Sequence, residues 1–270
     1  MKKSVVVFTS FAFLLALSVP AVAQPSSKAV ETRIIDDFDT VDSQNYQVPL
    51  KKSTQDIDGT QPLNWTWNVQ ASHYTAEGFP KMDYFKGQPN ALKVFQKSDV
   101  EAKVLGVQTS FLRKGENWFE VYPEADGKPF EIPFVGTVTQ LDFWVWGANY
   151  LYFIDVLIRD ADGRVYTLPA GNLAFNGWRN VIVQIPSYIR QHSRLRSGPT
   201  VMSFVGFRIR TDPDEYVDNF TVFFDQLKFS TNALSNIFDG YELKDLEFGD
   251  SKSGSNGSAS TSSSSQGDAK

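Results

Sequence analysis

Two aspartates interrupt apolar stretches of this chain, Asp155 within Tyr152 to Arg159 and Asp225 within Asn219 to Ser230. Two carboxyl groups at a set separation are what glycoside hydrolysis asks of a protein. No spacing signal orders this pair into an active site. A carboxylate inside a strand is better explained by a backbone, arginine or tyrosine donor beside it, because buried polar groups need partners. The two histidines, His73 and His192, sit in polar contexts and lack the companions that a catalytic triad or a zinc site needs. Asp160-Ala161-Asp162-Gly163 and Asp212-Pro213-Asp214-Glu215 offer oxygen atoms to calcium, but neither follows the twelve-residue loop pattern, and both read as turns. The tryptophan pairs Trp144/Trp146 and Trp65/Trp67 are a sharper signal. Alternate positions on a strand place each pair on one face, where it either fills a core or makes a flat platform for sugar rings or a protein partner. Because Leu141, Phe143 and Val145 already supply a buried face, the Trp144 side must be covered by loops or used for contact.

The elements that carry these residues are strands. Between Thr139 and Pro186 the period is two, with Leu141, Phe143 and Val145 alternating with Asp142, Trp144 and Trp146. Tyr152 to Arg159 follows, Asp-Gly at 162–163 turns the chain, Val165 to Leu168 returns, and Asn180 to Ile185 ends at Pro186. Ser203 to Thr211 is expected to turn Val205, Phe207 and Ile209 one way and Gly206, Arg208 and Arg210 the other. Asn219 to Ser230 is expected to set Thr221, Phe223, Asp225, Leu227 and Phe229 on one face, with Phe224, Gln226 and Lys228 opposite. Ile34 to Phe38, Asn90 to Gln96, Ala102 to Phe111 and Asn117 to Tyr122 are further strands, and Pro123 to Pro133 is loop. Short strands, tight turns and almost no helix predict an all-β fold, a jelly-roll-like antiparallel β-sandwich.

The ends read differently. Met1-Lys2-Lys3, the apolar run Val5 to Val19 and Ala21-Val22-Ala23 make residues 1–23 a secretory signal peptide. The run is shorter than the roughly 20 residues a spanning helix needs, and no lipid-accepting cysteine follows, so no membrane anchor is expected. Residues 24–32 are polar and flexible, 33–248 form the sandwich, and the Ser/Gly-rich 249–270 is expected to be disordered, having too little apolar area to offset its ordering entropy. Phe238, Tyr241, Leu243, Leu246 and Phe248 are apolar residues on an acidic segment, suited to draping over a sheet edge or a neighbouring subunit. Of 26 basic and 31 acidic residues, loss of Lys2 and Lys3 leaves 24 against 31, a formal charge of −7, which argues against nucleic acid as a partner. With no cysteine, neither disulfides nor thiolate metal sites are possible, and stability must come from burying apolar surface such as that of 22 phenylalanines.

The signal peptide, the Ile34-Ile35-Asp36-Asp37-Phe38 strand, the stretch LDFWVWGANYLYFIDVLIRDADGRVYTLPAGNLAFNGWRN, and the strands VGFRIRT and FFDQLKFST together resemble the flagellar filament outer-layer (sheath) protein of spirochaetes, the FlaA family. The same strands more loosely resemble jelly-roll carbohydrate-binding modules, which implies a galactose-binding or carbohydrate-binding-module-like sandwich. The FlaA resemblance implies a non-enzymatic, cofactor-free structural protein of the periplasmic flagellum. Its partners would be the flagellin core, other sheath proteins and copies of itself in a helical array. It implies no catalytic residues. The contact candidates are Trp144, Trp146, Phe238, Tyr241 and Phe248; the alternative is a secreted, non-catalytic carbohydrate-binding module.

Overall fold

The computed structural model describes residues 30–39, 48–49, 60–61, 65–95, 99–193 and 201–232, all within one compact unit. The signal segment, the contact candidates Phe238, Tyr241 and Phe248, and the Ser/Gly-rich tail lie outside the described residues. In chain order the strands are β1 (Val30–Asp36), β2 (Val48–Pro49), β3 (Thr60–Gln61), β4 (Thr66–Ala71), β5 (Lys81–Lys86), β6 (Lys103–Thr109), β7 (Trp118–Ala125) and β8 (Lys128–Pro129). They continue with β9 (Ile132–Pro133), β10 (Thr137–Ala148), β11 (Tyr152–Arg159), β12 (Val165–Asn172), β13 (Asn176–Gln184), β14 (Ser203–Thr211) and β15 (Phe220–Asn232).

Two antiparallel sheets face each other. Sheet A runs β13-β10-β15-β6-β5, and β1 also pairs with β15; sheet B runs β12-β11-β14-β7-β4, with β8 on β7 and β9 on β14. The chain crosses repeatedly from one sheet to the other, which is the connectivity of a jelly-roll-like sandwich, as expected. Aromatic rings fill the space between: Phe207 of sheet B stacks on Phe224 of sheet A with centroids 4.8 Å apart, and Phe143 meets Phe207 at the same distance. Trp65 and Trp67 belong to this core, so that pair fills space and forms no surface. Each fully buried Phe contributes about 1.5–3 kcal/mol of transfer free energy, which is how a chain without cross-links holds together.

Several expectations need correction. The strand expected over Asn90 to Gln96 is not formed by its described residues, 90–95: Asn90–Leu92 is a single 3₁₀ turn that follows Pro89. The neighbouring strand is β5, where Met82 and Tyr84 pack against the core and Lys81 and Asp83 do not. Residues 123–133 are only partly loop, since Asp126-Gly127, both at positive φ, joins β7 to β8. Strand β1 begins at Val30, earlier than the sequence suggests, because Val30 to Thr32 pair with Ser230 to Asn232.

Two bulges change which side chains face inward. In β14, Leu157 is opposite Gly206 and Ile158 opposite Phe204, so Val205 is the extra residue and Phe204 takes the core position expected of Val205. In β15 the expected faces hold only beyond Gln226. Trp144 pairs with Asp225 and Asp142 with Lys228, and Gln226 has φ +46°. Before this bulge Phe220, Val222 and Phe224 are buried; after it Leu227 and Phe229 are. Phe223 therefore points outward and Phe224 inward, the reverse of the simple alternation.

Candidate contact surface on sheet A

On β10 the alternation puts Leu141, Phe143 and Val145 in the core, which leaves Trp144 and Trp146 on the outward face, each half-buried. The ladder extends that face sideways. Trp146 is opposite Trp178 of β13 and opposite Phe223 of β15, and Phe223 is opposite Gly106 of β6. Gly106 leaves room for a ring. A Cβ there would sit 2.6 Å from Phe85 of β5 and 2.8 Å from Phe223, so the missing side chain lets Phe85 lie over the strand against Phe223. Four strands thus carry one aromatic row, Trp178–Trp146–Phe223–Phe85. Phe223 meets both flanking rings edge to face, Trp146 at 5.4 Å and 74° and Phe85 at 5.6 Å and 86°. This is a ridged surface and not the flat platform considered for the tryptophans. Beside it lies a polar cluster, in which Asn180 Nδ2 donates to Asp142 Oδ1 at 2.6 Å and Lys228 Nζ stands 3.6 Å from the same oxygen.

Trp144 and Trp146 are the sequence candidates that the structure places on this face. Trp178, Phe223 and Phe85 were missed. The outward position of Phe223 depends on the β15 bulge, and Trp178 and Phe85 join the row only through strand pairing.

The carboxylates that raised the possibility of hydrolysis lie in different sheets. Asp155 is on β11 in sheet B, buried, and accepts from Arg210 Nε at 2.8 Å. Asp225 sits at the β15 bulge in sheet A, where β6 gives way to β1 along the same strand edge. Burial pushes its pKa up to about 8, with the nearby Asp39, Asp37 and Asp36 adding to the effect. Asp36 is likewise raised to about 7, mainly by burial; it accepts from Trp67 Nε1 at 2.7 Å and from the Phe38 amide at 2.8 Å, which oppose the rise. The two turns considered for calcium spend their oxygens locally. Asp160 Oδ1 accepts from the amides of Asp162 and Arg164, and Asp212 Oδ1 from that of Asp214. Both histidines are exposed.

Sheet B presents a different outward face. Gln70, Glu120, Arg208 and Asp155 are successive cross-strand neighbours. Glu120 accepts from Gln70 Nε2 and from Arg208 Nε, each at 2.6 Å. Arg208 and Arg210 also lie over Trp118 and Phe153.

The sandwich thus carries an ion-paired outward face on sheet B and a partly open aromatic row on sheet A. Comparison with known proteins narrows the class. The model of the flagellar filament outer layer protein FlaA matches residues 27–237, and the chain belongs to that family. A putative flagellar filament outer layer-like protein of Brachyspira hyodysenteriae is 32% identical over 135 residues, half of this chain and 60% of the relative. The flagellar filament outer layer protein of Borreliella burgdorferi is 24% identical over 195 residues, covering 59% of this chain and 56% of the relative. The chain therefore spans little more than half the length of these curated relatives. Among solved structures, the family 11 carbohydrate-binding module of Clostridium thermocellum Lic26A-Cel5E covers 76% of this chain and 96% of its own length, at 12% identity and a TM-score of 0.36. The module TmCBM61, solved with β-1,4-galactotriose, covers 62% of this chain and 88% of its own length, at 11% identity and a TM-score of 0.35.

Proposed function

We propose that this chain is a structural subunit of the outer layer of a periplasmic flagellar filament, laid onto the flagellin core from outside and performing no reaction. Residues 1–23 act as a cleaved export signal that delivers it to the periplasm, 33–248 form the sheath domain, and 249–270 remain an unstructured tail. Copies associate laterally in an open helical array, and the coat sets filament stiffness and shape and so contributes to motility. Membership of the outer-layer family supports the general role. The observation that carries the contact assignment is the partly exposed aromatic row of sheet A, which runs through Trp146, with Trp144 on the same outward face of β10. The apolar segment Phe238 to Phe248 is the second contact element.

The test is incorporation into filaments isolated from the source cell. Trp146→Ala is expected to lower recovery of the protein with filaments at least tenfold, and deletion of 238–248 to lower it further. Unchanged incorporation of both variants removes the contact assignment. Retention on a polysaccharide resin without co-purification with filaments favours a secreted sugar-binding module instead.

A further inference from the structure

The loop between β14 and β15, Asp212 to Asp218, holds a tyrosine ring out in solvent on a fixed backbone. Tyr216 is 75% exposed, yet its carbonyl accepts from the buried Tyr152 hydroxyl at 2.9 Å and its amide donates to Glu215 Oε1 at 2.8 Å. Glu215 Oε2 accepts from the Leu151 amide at 2.7 Å, Arg113 donates to the Glu215 carbonyl, and the Val217 carbonyl accepts from the Phe111 amide at 3.1 Å. The loop carries four acids and no base, and Asp214 and Asp218 are exposed on either side of the ring. A tyrosine pre-ordered in this way loses little entropy on being buried by a partner.

A surface of opposite character lies along the same sheet. Phe85 is 48% exposed, and after the 3₁₀ turn Val94 and Phe95 are 85% and 78% exposed. Lys86 and Lys93, next in sequence to Phe85 and Val94, are exposed, and from Lys81 to Lys103 the sequence has five lysines against three carboxylates, within a chain of net charge −5. Lys86 is paired with Glu101 at 2.7 Å, but both side chains are largely exposed, and such a pair exchanges partners at little cost.

We propose that the acidic Tyr216 loop of one copy docks on the basic apolar Phe85/Val94/Phe95 surface of a second copy. This deepens the outer-layer reading and rests on it for its biological setting. Within one molecule the loop and the Lys86 end of β5 are held apart. The loop enters β15 at Phe220, opposite Thr109, whereas the lysine-bearing turn leaves β5 at Lys86, opposite Lys103. Those rungs are six residues apart along β6, roughly 20 Å at about 3.3 Å per residue. Used head to tail, a contact between two different patches is heterologous, and where its rotation does not close, repetition builds an open helical array. Opposite charge brings the patches together and sets their register, and the tyrosine ring covers exposed apolar surface.

The experiment uses the full chain purified from a secreting host, without filaments, so its outcome is separate from that of filament incorporation. Sedimentation should show mass rising with concentration. Tyr216→Ala should raise the concentration needed for association at least tenfold without altering the fold, because both backbone groups of residue 216 keep their partners. Asp214→Lys with Asp218→Lys, and separately Lys86→Glu with Lys93→Glu, should each abolish association, and mixing the two charge-reversed proteins should restore it. A wild-type chain that stays monomeric at its solubility limit overturns the proposal. So does a Tyr216→Ala protein that associates like the wild type, or a mixture of charge-reversed proteins that stays monomeric.

Discussion

The outward faces of the two sheets are built on the same ladder geometry and end in opposite states. On sheet B, Gln70, Glu120, Arg208 and Asp155 occupy one cross-strand row, and each polar group finds its partner in the row or diagonally beside it, with arginine planes lying over Trp118 and Phe153. On sheet A the corresponding row is Trp178, Trp146, Phe223 and Phe85, where Phe223 meets Trp146 and Phe85 edge to face and the rings remain partly open to solvent. Directional hydrogen bonds can be completed within one sheet, whereas apolar area is fully removed from water only when something else covers it. One face is finished by its own fold, and the other keeps apolar rings partly open to solvent.

Mutation should separate the two faces. The largest stability effect is expected on sheet B. Glu120→Ala strips two charge-assisted hydrogen bonds from a buried position and should cost about 2–3 kcal/mol in chemical denaturation, with filament association unchanged. If Glu120→Ala instead reduced association with no loss of stability, the division between faces would be reversed. An intermediate effect is expected at the β15 bulge. Asp225 has a folded-state pKa raised from 3.8 to about 8, so the folded protein holds the proton more tightly than the unfolded chain. The stability this supplies is complete below about pH 4 and is lost as the pH rises through about 8. Asp225→Asn should flatten denaturation midpoints measured across that window, and an unaltered slope would mean that other groups, Asp36 first among them, set it. The smallest effect is expected at the polar edge of the aromatic face. Lys228→Met removes a partly exposed contact 3.6 Å from Asp142 and should change stability by less than about 0.5 kcal/mol. A larger loss would show that the aromatic row depends on its polar border.

Much of the fold was legible because alternation is local. Tyr152–Arg159 and Ser203–Thr211 coincide with their expected bounds, and the outward direction of Trp144 and Trp146 follows from three buried neighbours in the same strand. The β5 strand was readable in principle, since Lys81 and Asp83 alternate with Met82 and Tyr84, but the apolar Ala91-Leu92 and Val94-Phe95 further on gave a stronger, false signal.

The sequence by itself determined the class of the molecule, a cysteine-free antiparallel sandwich, because period-two patterning and turn residues act within a few positions of one another. Only the tertiary structure decided which aromatics meet on its surface. The bulge at Asp225-Gln226 exists where β15 changes neighbours from β6 to β1, and that exchange turns Phe223 outward. Gly106 admits Phe85 to the row only because β5, β6 and β15 lie side by side. Strand register depends on partners far away in the chain, so no window of sequence contains it.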